Sequence, residues 1–113
     1  MDEINKILEK YNRFKDAQLR SIENISESSK VLTIVELDDE GEDLHTVRIT
    51  FKDIKQSRIL VNSVLSYMDT GFGISIIKEN DLYGFAVGSG TAMLHVHNAP
   101  LYIVSSEIEI EEV

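Results

Sequence analysis

The chain has 113 residues, of which 42% are hydrophobic and 27% charged, and its formal net charge is -9. This length supports one hydrophobic core, so we predict a single domain that spans residues 1–113. The absence of cysteine excludes a disulfide framework and a thiolate metal site. The N-terminus begins with acidic residues rather than the basic and apolar stretch of a signal peptide, and no apolar run reaches ~18 residues. We therefore expect a cytoplasmic protein without a membrane span.

The excess negative charge is confined to the later part of the chain. Residues 1–30 contain six acids and six bases, whereas residues 31–113 contain fourteen acids and five bases. Ten of these fourteen acids belong to two stretches, residues 36–43 and 107–112. Such a surface repels phosphate backbones, so we expect no nucleic-acid binding. It attracts a basic protein partner, although net charge also serves simply to keep a domain soluble.

Taken in chain order, the first predicted element is a helix over residues 2–14. One apolar stripe at helical spacing supports it, formed by Ile4, Ile7, Leu8, Tyr11 and Phe14. After Asp16 the apolar residues Leu19, Ile22 and Ile25 lie three apart. This spacing does not decide between helix and strand, and we favour a strand with a bulge or bend. The polar, serine-rich residues 23–30 then predict a turn.

A β-hairpin is the clearest local prediction. The β-branched residues 30–37 and the alternating residues 44–54 flank an acidic loop that contains Gly41. In the second of these strands Val47, Ile49 and Phe51 are expected to face the core.

The remaining residues predict further short strands. Residues 57–68 fit either a strand or a short helix, and residues 71–90 predict a strand, a tight turn and a second strand. Residues 91–104 predict two strands joined by a turn at 98–100. The final residues alternate strictly, with Ile108 and Ile110 inward and glutamates outward. The sum is an α+β fold, with an N-terminal helix and a mainly antiparallel sheet of about seven or eight short strands, arranged as a sandwich or half-barrel.

The pattern most like a ligand site is His-Val-His at positions 95–97. Alternate residues of a strand share a face, so His95 and His97 are candidate ligands for one metal ion. The simpler interpretation is a solvated strand face, because Leu94 and Val96 would then point to the core.

Other patterns do not indicate catalysis. The acidic loop lacks EF-hand spacing, because the twelfth residue counted from Asp38 is Ile49 rather than glutamate. The glycine-containing segments lack the lysine of a phosphate-binding loop, and no serine lies in a nucleophile elbow. We predict a protein that is not an enzyme and requires no cofactor.

Residues 14–22, FKDAQLRSI, resemble the F-H-D-A/S-x-[ILV]-x-x-[ILV] signature of several families of small bacterial proteins. Some of these families are immunity proteins of polymorphic toxin systems, and others are uncharacterised. The strand ITFKDI at 49–54 and the ending SEIEIEEV are also similar to theirs. Lys15 stands where those families usually have histidine; the residues that match are Phe14, Asp16, Ala17, Leu19 and Ile22. The resemblance implies a protein that acts by binding.

The same segment has a physical interpretation of its own. An aspartate where a helix meets a strand is expected to accept backbone N–H bonds and fix the turn, which is the role we predict for Asp16. Phe14 is expected to anchor the helix to the sheet.

Three functions follow from these patterns. The first is an immunity-type protein that occludes a basic toxin domain, and its candidate contacts are Glu36, Asp38, Asp39, Glu40, Glu42, Asp43, Glu107, Glu109 and Glu111. The second is a small metal- or ligand-binding domain that uses His95 and His97. The third is a structural or regulatory domain that self-associates through its final strand. The sequence leaves the oligomeric state open.

Overall fold

In a computed structural model, which describes residues 2–65, 67–90 and 92–113, an N-terminal helix packs on one face of a single open antiparallel sheet. Its strands follow the order β1-β2-β3-β6-β5-β4. The elements are α1 (Asp2–Lys10), β1 (Gln18–Ser26), β2 (Ser29–Leu37), β3 (Asp43–Arg58), α2 (Asn62–Leu65), β4 (Ile74–Glu79), β5 (Leu82–Val87), α3 (Met93–His97) and β6 (Tyr102–Glu112). The α+β prediction is confirmed, but the sheet has six strands rather than seven or eight.

The sheet is staggered about its two long strands. β3 has 16 residues and β6 has 11, and they pair from Val47↔Glu112 to Arg58↔Tyr102. β2 covers only the first half of β3, up to the pair Lys30↔Phe51, whereas β5 covers only the first four residues of β6. The two outer hairpins therefore lie at opposite ends of the central pair. We call the end that carries the β2–β3 loop and the C-terminus of β6 the tip end.

The predicted β2–β3 hairpin is confirmed, and its alternation defines the core face. Val47, Ile49 and Phe51 are buried in β3, with Phe51 edge-on to Phe85 at 5.4 Å between ring centroids. The α1 stripe packs onto this face, where Ile4 and Leu8 join the same core cluster. Burial of apolar surface on this one face is the main stabilising term.

The N-terminal helix is shorter than predicted. It ends at Lys10, and a left-handed turn follows in which Asn12, Arg13 and Phe14 have φ of 52°, 57° and 58°. Left-handed backbone costs about 1–2 kcal/mol per non-glycine residue. Packing offsets this cost, because the turn places the rings of Tyr11 and Phe14 in the core, stacked at 5.2 Å.

Residues 93–97 were predicted to be a strand, and this is wrong: they form α3. The outer face of β5 and β6 is apolar at this end, and α3 covers it with Val96. Gly84 allows the close approach, because a β-carbon there would lie 2.6 Å from Met93 Sδ. A segment of only five residues is too short for its periodicity to distinguish a buried strand from a helix that covers a sheet.

Two further boundaries differ from the predictions. The serine-rich turn at 23–30 is shorter than expected, because β1 continues to Ser26 and β2 starts at Ser29. Residues 57–68 contain both alternatives, since β3 extends to Arg58 and α2 follows; position 66 lies outside the described residues. The predicted bulge in β1 is confirmed between Leu19 and Ser21.

The tight turn between β4 and β5 is confirmed. Its central residues Asn80 and Asp81 have φ of 53° and 65°, as a two-residue hairpin turn of the mirror-image type requires.

Among the described residues, no helix combines the length and the apolarity that crossing a bilayer requires.

Candidate protein-binding surface

The β2–β3 loop presents four exposed carboxylates at the tip end of the sheet, and three of them make no hydrogen bond with any described residue. Asp39, Glu40 and Glu42 are exposed, and none of them forms an ion pair with any residue that the structure describes. Charges that are not neutralised by the protein itself remain available to a partner.

Asp38 holds this loop in shape. Its Oδ1 accepts hydrogen bonds from the backbone N–H groups of Glu40 and Glu42, each at 2.9 Å. The Asp38 N–H donates to the Glu42 carbonyl at 2.8 Å, and Gly41 takes the left-handed φ of 82° that the turn needs. Asp38, predicted as a partner contact, is therefore bonded within the loop that presents the other acids.

Asp43 already has a cationic neighbour in the protein. Arg20 of β1 reaches across β2 and donates to both carboxylate oxygens of Asp43, at 2.9 and 3.3 Å. The hydrogen bond from Arg20 holds the pKa of the Asp43 carboxyl below its usual range. Sequence reasoning missed Arg20, because no local pattern connects it with residues 23 positions away.

Glu36 lies on the rim of the core face rather than with the loop acids. It is half-buried, pairs with His45 across the β2–β3 ladder and lines a depression with Tyr11 and Asp16. Glu36 therefore faces a different direction from Glu40 and Glu42.

The same rim holds a second group of charges. Lys10 Nζ donates to Glu112 Oε1 at 2.9 Å, and this bond lowers the pKa of Glu112 and raises the pKa of Lys10. Burial raises the pKa of the neighbouring Tyr11 phenol, and its hydrogen bond with Glu112 raises it further. These contacts attach the end of α1 to the end of β6.

The glutamates of β6 lie on the outer face of the sheet, as predicted. Glu107, Glu109 and Glu111 are exposed, whereas Ile108 and Ile110 are half-buried against the core. On the neighbouring strand Lys52 binds Glu109 at 2.9 Å. No described residue forms an ion pair with Glu107 or Glu111.

The two acidic stretches meet at the tip end. Glu112 pairs with Val47, four residues along β3 from Asp43, which corresponds to roughly 13 Å of strand. Glu111 is therefore the outer-face glutamate nearest the loop, and Glu107 lies further down the sheet. The loop acids and Glu111, which are far apart in sequence, therefore lie on the same half of the molecule.

The histidine pair does not have the geometry that the sequence suggested. His95 and His97 belong to α3, and residues two apart on a helix point in widely different directions. The His97 ring lies 5.4 Å from the Tyr102 ring, whereas the His95 side chain packs beside Gly90. No cluster of three or more potential metal ligands occurs among the described residues.

His95 does line a small crevice between α3 and the end of β5. The crevice has a volume of about 160 Å³, and the other polar groups along it include Ser75, Ser89 and Asn98. The Ser75 hydroxyl donates to the Gly88 carbonyl and accepts from the Gly90 N–H. Ligand pockets usually have volumes of ~300 Å³ or more, so the crevice alone is smaller than a usual ligand pocket. His95, Ser89 and Gly90 also line an open depression of about 380 Å³ together with Arg13.

The signature residues serve the fold in the structure. Phe14 and Leu19 are buried at 1% exposure, and Ile22 packs against the same core. The predicted role of Asp16 is wrong, because its carboxylate accepts no hydrogen bond from any described residue. The corner is held instead by Thr70, whose carbonyl accepts the Asp16 N–H and whose hydroxyl donates to the Ala17 carbonyl. A long-range partner of this kind leaves no signal in the local sequence.

An exposed apolar segment follows β3, and sequence reasoning did not identify it. Val61, Val64 and Tyr67 are joined by consecutive i→i+3 hydrogen bonds, which place their side chains on one side. Tyr67 is 85% exposed and Val61 69%.

No matching family model, curated protein or solved structure was found for this chain.

Proposed function

We propose that this protein is a non-enzymatic binding protein, of the kind represented by bacterial immunity proteins, that engages a basic protein partner through its acidic tip end. One observation carries the proposal: Asp39, Glu40 and Glu42 are exposed and form no ion pair with any described residue, on a loop that Asp38 holds in one conformation. A preformed acidic loop accelerates association with a basic surface and loses little entropy on binding.

Charge placement supports this reading over a general solubility role. Asp43 and Glu109 form ion pairs with Arg20 and Lys52 within the protein. Asp39, Glu40, Glu42 and Glu111 form no ion pair with any residue that the structure describes. Similarity of residues 14–22 to the F-H-D-A/S signature supports the immunity-type assignment, and the basic partner would then be a toxin domain encoded beside this chain.

The test is a charge-reversal experiment on the full chain. The loop variant carries Asp39→Lys, Glu40→Lys and Glu42→Lys, and the control variant carries Glu3→Lys, Glu23→Lys and Glu27→Lys. Each reversal adds two charges, so both variants have a net charge of -3. Capture of the neighbouring toxin domain from the native host should fail with the loop variant and persist with the control.

Two results would contradict the proposal. The first is equal capture by the parent and the loop variant. The second is equal loss in the loop and control variants, which would mean that net charge rather than the loop governs binding. Circular dichroism of both variants checks that each one is folded.

A further inference from the structure

The stagger of the sheet leaves one half of β6 with a strand on one side only. β5 pairs with Tyr102–Ser105, whereas β3 pairs with β6 as far as Glu112. From residue 107 to residue 112, no described strand lies on the side of β6 away from β3. The backbone there is an open sheet edge, the kind of surface to which an extended segment adds as a further strand.

The hydrogen-bond pattern identifies the backbone groups that this edge presents. The Val113 N–H donates to the Thr46 carbonyl at 2.9 Å, so the pair 113 and 46 is a bonded pair of the antiparallel ladder. Bonded pairs recur at every second residue, so Glu111, Glu109 and Glu107 bond toward β3. The N–H and C=O groups of Ile108, Ile110 and Glu112 therefore point away from β3, toward the open side.

The side chains of this edge alternate in chemistry. Glu107, Glu109 and Glu111 line the outer face, and Ile108 and Ile110 line the core face, where both remain half-buried. A strand added here would place every second side chain beside a glutamate, at about 4.5–5.5 Å between β-carbons. The intervening side chains would lie beside the isoleucines.

This alternation disfavours a second copy of the chain as the occupant. Any register that keeps the two core faces on the same side places glutamates of one β6 beside glutamates of the other. Like charges in such positions are destabilising, and charged edges are a common device against self-pairing. A strand with lysine or arginine at every second position has the opposite, favourable charge pattern.

We propose that the open half of β6 is a docking site for an extended segment of the partner, with basic residues at alternate positions and apolar residues between them. This inference rests on the proposed function and adds a recognition mode to it: the loop acids steer a basic partner, and backbone pairing with Ile108, Ile110 and Glu112 holds one of its strands.

The probe is a seven-residue capped peptide with lysine at its second, fourth and sixth positions and valine or threonine at the others. On titration into the ¹⁵N-labelled full chain, the amides of Ile108, Ile110 and Glu112 should shift and become protected from hydrogen exchange. A peptide of the same composition with its lysines contiguous should bind at least tenfold more weakly.

Backbone methylation supplies a matched control on the peptide itself. With the peptide antiparallel to β6, as its neighbours β3 and β5 are, methylation of the amide nitrogens at the apolar positions removes the donors that face β6 and should abolish binding. The same modification at the lysine positions faces away from β6 and should leave binding within about twofold. Equal effects of the two modifications would overturn the strand-docking proposal.

Side-chain substitutions test the charge pattern. Glu107→Gln together with Glu111→Gln should weaken the peptide about threefold to tenfold, as expected for two exposed ion pairs. The control pair Glu23→Gln and Glu27→Gln should have no effect. Amide shifts confined to residues 39–42, or concentration-dependent dimerisation that protects the edge amides without peptide, would also overturn the proposal.

Failure of this site is distinguishable from failure of the proposed function. If loop charge reversal abolishes capture of the toxin domain while the β6 substitutions and the peptide have no effect, the edge is not the docking site and the acidic loop remains the binding surface. If the peptide docks as described but loop reversal leaves capture intact, the edge site stands and the loop-based function is wrong.

Discussion

Gly73 lies against the backbone of Arg13 so closely that a β-carbon added to it would stand 2.4 Å from the Arg13 carbonyl oxygen. Gly73 also has a left-handed φ of 75°, and Arg13 donates from Nη2 to the carbonyl of the next residue, Ile74, at 3.1 Å. This contact attaches the left-handed turn after α1 to the start of β4. The turn and the edge strand are therefore stabilised together.

Substitution of Gly73 by alanine should destabilise the protein by about 2–4 kcal/mol, because neither backbone segment can yield without loss of hydrogen bonds. Gly41→Ala is the matched control, since Gly41 has a similar φ of 82° but nothing within 4 Å of an added β-carbon. Gly41→Ala should lower the free energy of unfolding by only about 1 kcal/mol, which is the cost of a left-handed backbone at a non-glycine residue. Urea denaturation measures both; equal losses would show that the close contact is absent in solution.

Asn62 should stabilise the edge strand β1. Its Oδ1 accepts the Ile22 N–H at 2.9 Å, which satisfies a backbone donor on the side of β1 where no described strand pairs. Asn62→Ala should lower the free energy of unfolding by about 1 kcal/mol and accelerate hydrogen exchange at the Ile22 amide. The adjacent exposed residue provides the control, because Ser63→Ala should change neither quantity.

Removal of the Asp38 side chain should loosen the acidic loop. Asp38→Ala leaves the N–H groups of Glu40 and Glu42 without their acceptor, so we expect a loss of about 1 kcal/mol and faster exchange of these two amides. Asp38→Asn retains an oxygen acceptor and should preserve most of the protection. Unchanged exchange in the alanine variant would contradict the role of Asp38 as the cap of the loop.

The Arg20–Asp43 pair should contribute to stability only above acidic pH. The pKa of Asp43 is lowered in the folded state by its hydrogen bond to Arg20, so its contribution is present above the unfolded-state value of about 3.9 and is lost as the pH falls through the folded-state value. Arg20→Gln should therefore destabilise at pH 7 but much less at pH 2. Urea denaturation of the parent and the variant at several pH values between 2 and 7 measures the loss in free energy of unfolding. Equal losses at pH 7 and pH 2 would contradict the prediction.

Local sequence was sufficient for the features that depend on near neighbours. Alternation identified the β2–β3 hairpin, the buried residues Val47, Ile49 and Phe51, and the inward and outward faces of β6. The Asn80–Asp81 turn was recognisable for the same reason, because its conformation is set by the residues within it.

Tertiary structure alone decided the features that depend on distant partners. Residues 93–97 form a helix that packs Val96 against Gly84 on the sheet. His95 and His97 therefore do not share the strand face that made them a candidate metal site. Thr70, 53 residues beyond Ala17, holds the corner that sequence reasoning assigned to Asp16. The open edge of β6 likewise exists only because β5 stops short along the strand, and the lengths of paired strands are set by packing across the sheet rather than by the local pattern of any one strand.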